Sequence, residues 1–163
     1  MSTVLSRLTE KFGDAIAETH SYRGDDTAVV DRARIQEVLT FLRDDTALAF
    51  DLPVDVTAVD WLHEREIRFD VVYHLHSTRH KQRVRIKCPV PVDDCRIATS
   101  SEIYPGFGWF ERETYDMYGI EFVGHADLRR MFMYDEFVGH PLRKDYPKEK
   151  RQPLLRCEDR PRR

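Results

Sequence analysis

Val4, Leu5, Leu8 and Phe12 recur at helical spacing, with Ser2 or Thr3 placed to cap the start and Gly13 placed to close the end in a left-handed conformation. Residues 15–22 and 27–31 flank Gly24-Asp25-Asp26, and the β-rich TAVVD run makes a pair of short strands around that turn. Asp31 can cap the next element, where Ile35, Val38, Leu39 and Leu42 form the stripe of a helix lying on a sheet; Asp44-Asp45 ends it. Val54 to Leu62 reads as extended. In Ile67 to Leu75 the odd positions Ile67, Phe69, Val71, Tyr73 and Leu75 are apolar, and in Arg83 to Cys88 the apolar Val84, Ile86 and Cys88 alternate with Arg83, Arg85 and Lys87. Two strands with one buried and one wet face follow, joined antiparallel through Ser77 to Lys81 and stopped by Pro89 and Pro91.

Residues 93–118 read as largely helical, broken near Pro105-Gly106 and terminated by Gly119, and the chain from Ile120 onward reads as irregular, with glycine turns at Gly124 and Gly139. The expected architecture is α+β in two layers, with helices on one face of a mostly antiparallel mixed sheet and an extended irregular C-terminal segment. The division expected is an α+β domain over 1–122 and a docking segment with a basic tail over 123–163.

With 163 residues the chain supports one core rather than two. No apolar run approaches the roughly 20 residues that span a bilayer, so neither export nor membrane insertion is expected. Cys88, Cys95 and Cys157 are an odd set without CxxC spacing, which argues against a disulfide framework, a zinc ribbon or an autonomous iron–sulfur site. The net charge of -3 is unevenly spread: residues 143–163 hold nine Lys or Arg against four acids, leaving +5 there and -8 on the remainder. A basic tail on an acidic body points to an acidic protein partner; the acidic body disfavours nucleic acid.

Candidate chemistry gathers between Trp109 and Pro147. Glu111, Glu113 and Asp116 could act as acid and base or hold a hard cation, but Glu111 and Glu113 stand about 200° apart on a helix and do not converge. Pairing with Arg112, Arg129, Arg130 and Arg143 is the simpler role. His74 and His76 share the polar face of a strand without an evident third ligand, so a metal enzyme built on them is the weaker reading. His125 and His140 each follow a glycine, which suggests rings fixed by turns through hydrogen bonds. No phosphate cradle or nucleophile elbow is readable. Aromatic side chains interleaved with Arg, by contrast, are the composition of interface anchors.

These residues resemble one family. The run Glu111-Arg112-Glu113-Thr114-Tyr115-Asp116-Met117-Tyr118-Gly119, then Gly124-His125 with Asp127-Leu128-Arg129-Arg130, then Gly139-His140-Pro141-Leu142-Arg143-Lys144-Asp145-Tyr146-Pro147, is similar to the signature of the C subunit of respiratory complex I, the proton-pumping NADH:quinone oxidoreductase. Ala126 stands where that family usually has proline, which loosens the local turn. The resemblance implies a non-catalytic peripheral-arm subunit on the cytoplasmic side of the inner (cell) membrane, or the matrix side in mitochondria. It implies no cofactor in this chain, with FMN, iron–sulfur clusters and quinone in partner subunits, and membrane association only through the complex. It implies packing chiefly against the D subunit, with Glu111, Arg112, Glu113, Asp116, His125, Arg129, Arg130, His140, Arg143, Lys144, Asp145 and Tyr146 as the partner-binding set. An equivalent subunit of a membrane-bound hydrogenase, or of a dehydrogenase fed by ferredoxin or deazaflavin, is the alternative.

Overall fold

Ser2 opens the first element: its hydroxyl accepts the Leu5 N–H at 3.2 Å and starts α1, Thr3–Phe12. In the computed structural model, which describes residues 2–152, this helix is followed by β1 (Ile16–Tyr22), β2 (Asp25–Val30), a short 3₁₀ turn (Arg32–Arg34) and α2 (Ile35–Asp44). Then come β3 (Leu52–Asp60), β4 (Phe69–Ser77), β5 (Gln82–Val90), β6 (Arg96–Ala98), α3 (Phe107–Tyr118) and β7 (Glu121–Val123). Gly13 closes α1 in the right-handed region, at φ -56°, not the left-handed one, because the chain leaves through an Ala15 N–H to Phe12 carbonyl turn. Asp31 caps the 3₁₀ turn that leads into α2 by accepting the Ala33 N–H.

Five strands form one sheet in the order β1-β2-β5-β4-β3, antiparallel except for the β2–β5 pair. Its inner face carries Ala28, Val30, Val56, Ala58, Phe69, Val71, Tyr73, Leu75, Val84, Ile86, Cys88 and Val90, and the apolar stripes of α1 and α2 join them in one core with Phe107 of α3. The alternation in β4 and β5 is therefore real, and the fold is the α+β class expected.

The outer face is less wet than alternation alone predicts. Asp70, Val72 and Thr27 lie on it and are buried, because long neighbours fold across. Trp61 Nε1–H and Arg65 both reach the Asp70 carboxylate, and Arg85 spans from His74 to the Thr27 hydroxyl. β5 also runs through Pro89. The parallel register with β2 ends at Lys87, so the missing proline N–H falls where no β2 partner remains.

Residues 93–106 are not the first half of a helix. They hold β6, paired in parallel with β7, and a turn that ends with the Tyr104 hydroxyl donating to the Phe50 carbonyl at 2.7 Å. Arg32 pins this stretch by donating to the Asp94 and Arg96 carbonyls. The second half is α3 as expected, closed by Gly119 at φ 73°. β7 interrupts the irregular reading from Ile120; beyond it the chain proceeds by turns, with Gly124 at φ 89° and Gly139 at φ 103°.

Candidate functional site

Helix α3 organises the titratable cluster. Phe107, Glu111, Thr114 and Met117 face inward, and the Thr114 hydroxyl donates to the Val56 carbonyl, fastening the helix along β3. Glu111 is fully buried and meets no guanidinium among the described residues. It accepts from the Thr99 and Ser100 hydroxyls and, at 2.7 Å, from the Ser100 N–H, so it shapes the loop before the helix. Asp116 is equally buried and serves the chain after the helix. Its carboxylate accepts the N–H groups of Met131, Phe132 and Met133 at 2.8–3.0 Å and pairs with Arg130 at 3.2 Å. Glu113 is half-buried and makes no hydrogen bond or ion pair with any described residue. Glu111 and Glu113 do not converge, as their helical spacing requires, and Asp116 is taken up by the chain after the helix.

The C-terminal segment is sewn to this helix at several points. His125 donates from Nε2 to the Gly108 carbonyl and accepts the Asp127 N–H at Nδ1, both at 3.0 Å, which fixes a neutral tautomer. His140 Nδ1 donates to the Asp116 carbonyl at 3.0 Å. Arg143 meets carbonyls rather than a carboxylate: its Nε donates to Tyr118 and its Nη2 to Gly119, covering the last oxygens of α3, while the guanidinium lies 5.2 Å above Phe69. Arg112 donates to the carbonyls of Arg129 and Arg130, and Arg130 reaches Gly139. Arg129 is exposed and pairs with Asp127 of its own loop. Tyr146 stacks on Phe137.

Lys144 and Asp145 reach the far corner of the sheet, where the decisive partners are Asp60 and Arg68. Arg68 donates two bonds to Asp60, at 2.9 and 2.8 Å, and two to Asp145, at 2.9 and 2.7 Å; Asp60 also accepts the Lys144 N–H. Burial raises the Asp60 pKa, but Arg68 and the Lys144 and Leu62 N–H groups outweigh it and hold the carboxyl below its ordinary value. Arg68 likewise lowers Asp145. Sequence reasoning missed Asp60, Arg68, Thr99 and Ser100. Asp60 and Arg68 look like ordinary polar positions of strands, and their partner lies 77 residues from Arg68.

Trp109, Val123, Phe132, Val138 and Leu142 are 50–63% exposed, so the helix and the segment it carries leave large apolar side chains in water. His74 is half-buried, and burial together with Arg85 lowers its pKa. Among the described residues no three His, Cys, Asp or Glu are arranged to hold a metal ion, and no helix is long and apolar enough to cross a membrane. Arg156, Cys157, Arg160, Arg162 and Arg163 of the basic tail lie outside the described residues.

Residues 28–152 match the family model of the respiratory-chain NADH dehydrogenase 30 kDa subunit. The chain is 46% identical over 141 residues to the C subunit of the NADH-quinone oxidoreductase of Geobacter sulfurreducens, covering 86% of each protein. It is 44% identical over 147 residues to that of Rhizobium johnstonii, covering 90% of this chain and 72% of the other. Among solved structures, a trypsin-resistant fragment (1–134) of Nqo5 superposes with a TM-score of 0.67 at 29% identity, over 77% of this chain and all of the fragment. A chain of the membrane-bound sulfane sulfur reductase, an archaeal respiratory membrane complex, gives 0.75 at 26% identity, over 90% of this chain and 85% of that one. The cluster on α3, the segment sewn to it and these matches over most of the length place the chain in the respiratory-chain NADH dehydrogenase 30 kDa subunit family, which holds the C subunits of NADH-quinone oxidoreductases.

Proposed function

We propose that this chain is a non-catalytic peripheral-arm subunit of a proton-pumping NADH:quinone oxidoreductase, and that it builds the arm by packing against neighbouring subunits, chiefly the D subunit. The supporting observation is the face made by α3 and the segment beyond it. Trp109, Phe132 and Leu142 stand in water on α3 and the segment beyond it, and Glu113 of the same helix is a half-buried carboxylate with no cation among the described residues. Exposed aromatics and unpaired, partly desolvated charge are costly in a free surface and productive in an interface. The fully buried Glu111 and Asp116 fix the loop before α3 and the chain after it, which carries Phe132 and Leu142.

In this reading FMN, iron–sulfur clusters and quinone belong to partner subunits. The chain sits on the cytoplasmic side of the inner membrane and reaches the membrane only through the complex. Membranes solubilised in mild detergent should yield the chain together with NADH:quinone reductase activity; recovery solely as a free monomer overturns the proposal. Trp109→Ala combined with Phe132→Ala should leave the free chain folded by circular dichroism and reduce its incorporation roughly tenfold or more, the scale of truncating interface anchors. Residual complex should keep its apparent quinone KM. Normal assembly with a selective catalytic defect would contradict a purely architectural role.

A further inference from the structure

The second glycine–histidine pair holds a titratable ring at the point where the C-terminal segment meets α3. We propose that His140 is a proton-sensitive latch, holding residues 131–146 on the end of α3 while its ring is neutral and loosening them when it is charged. The inference rests on the assembly reading for its biological use, since the latched segment carries Phe132, Val138 and Leu142.

His140 has one good partner, the Asp116 carbonyl that takes Nδ1–H at 3.0 Å. Its other edge lies flat on Gly119: a Cβ built there would stand 2.5 Å from Cδ2 and Nε2. Nε2 thus stands close against Gly119, at a helix end whose Tyr118 and Gly119 carbonyls already accept from Arg143.

The charged groups facing the ring are Arg143 and Arg130 from its own segment and Asp116 from α3; Tyr115 is turned edge-on with its ring centre 6.3 Å away. Asp116 is the one carboxylate of this set, and it is already filled by Arg130 and three backbone N–H groups. The C-terminal end of a helix favours a cation by about 0.3–1 kcal/mol, but here Arg143 occupies that position. A charged His140 would be a third cation beside Arg130 and Arg143, with the Asp116 carboxylate already taken. Burial first, then Arg143 and Arg130, lower its pKa, against the opposing pull of Asp116.

The sign follows. An imidazole whose folded pKa lies below its free value near 6.5 supports the latched state fully above that value and progressively less as the pH falls beneath it. The test is amide hydrogen exchange by NMR on the full chain at about pH 7.5 and about pH 5.5, corrected for intrinsic exchange. The reporters are the Leu142 N–H, which donates to the Met117 carbonyl, and the Met131, Phe132 and Met133 N–H groups held by Asp116. Protection there should drop roughly tenfold at the lower pH while Val71 and Tyr73 of β4 keep theirs, and His140→Gln, which cannot ionise, should abolish the difference.

Equal protection at both pH values, or an undiminished pH response in His140→Gln, overturns the latch. If that variant does not fold, the ring titration of the unmodified chain decides: a His140 midpoint at or above the ordinary imidazole value refutes it, and one below supports it. Because all these readouts use the isolated chain, the latch can fail while the assembly role stands, or the reverse.

Discussion

Glu111 and Asp116 share a helix but do opposite jobs, one fixing the loop before it and the other the chain after it. The signature spacing made both visible in the sequence, and the expectation that Glu111 and Glu113 would not converge on one reaction centre followed from helical geometry alone. The identity of their partners was less legible. Asp116 finds the arginine that its neighbourhood suggested, whereas Glu111 is satisfied by hydroxyls and a backbone N–H, donors that every sequence offers in abundance. Gly119 is the sharpest test at this scale. A β-carbon there would meet the His140 ring at 2.5 Å and the Arg143 guanidinium at 2.8 Å, on a backbone at φ 73°. Left-handed strain alone costs about 1–2 kcal/mol, so Gly119→Ala should destabilise the chain by about 2–4 kcal/mol once the displaced caps are included. Urea unfolding monitored by circular dichroism measures it; a change under about 0.5 kcal/mol, the scale of an ordinary surface substitution, would show that the helix end is not closed as described.

At the scale of elements, periodicity served wherever one element was long enough to show it. α2 and the β4–β5 pair follow their apolar patterns closely, and the Tyr22 to Asp25 turn closes at Arg23 and Gly24, both with positive φ. β6 and β7 escaped because three residues carry no period, and their parallel pairing joins parts of the chain separated by all of α3. Pattern also could not say what ends α3 beyond its glycine. Arg143 supplies that ending from the distant GHPLRKDYP block, so Arg143→Ala should fray the last turn. Loss of these charge-assisted bonds corresponds to about 1–3 kcal/mol. Hydrogen exchange should show it as lost protection at Tyr118 and Gly119 with β4 unaffected, and unchanged protection at the helix end would exclude the capping role.

For the molecule as a whole, the Asp60–Arg68–Asp145 clamp closes the C-terminal segment over the sheet corner, and no local signal could have announced it. Asp60 and Asp145 both have carboxyl pKa values held below the ordinary 3.8. Depressed carboxyls contribute stability that is present above the unfolded value and lost as the pH falls through the folded one. The unfolding free energy should therefore decline below about pH 4, and Asp60→Asn should flatten that decline. An acid limb identical in the variant and the parent chain would remove the clamp from the account. The topology has a further consequence, in time rather than in space. β2 lies between β1 and β5, and β5 follows only after α2, β3 and β4. At ~5–20 residues per second, the ribosome leaves the N-terminal hairpin waiting several seconds for its second neighbour, and a two-stranded ribbon is marginal alone in water. Birth of this chain therefore includes an interval in which its first strands need shelter, whether from α1 folding over them or from a chaperone at the tunnel exit.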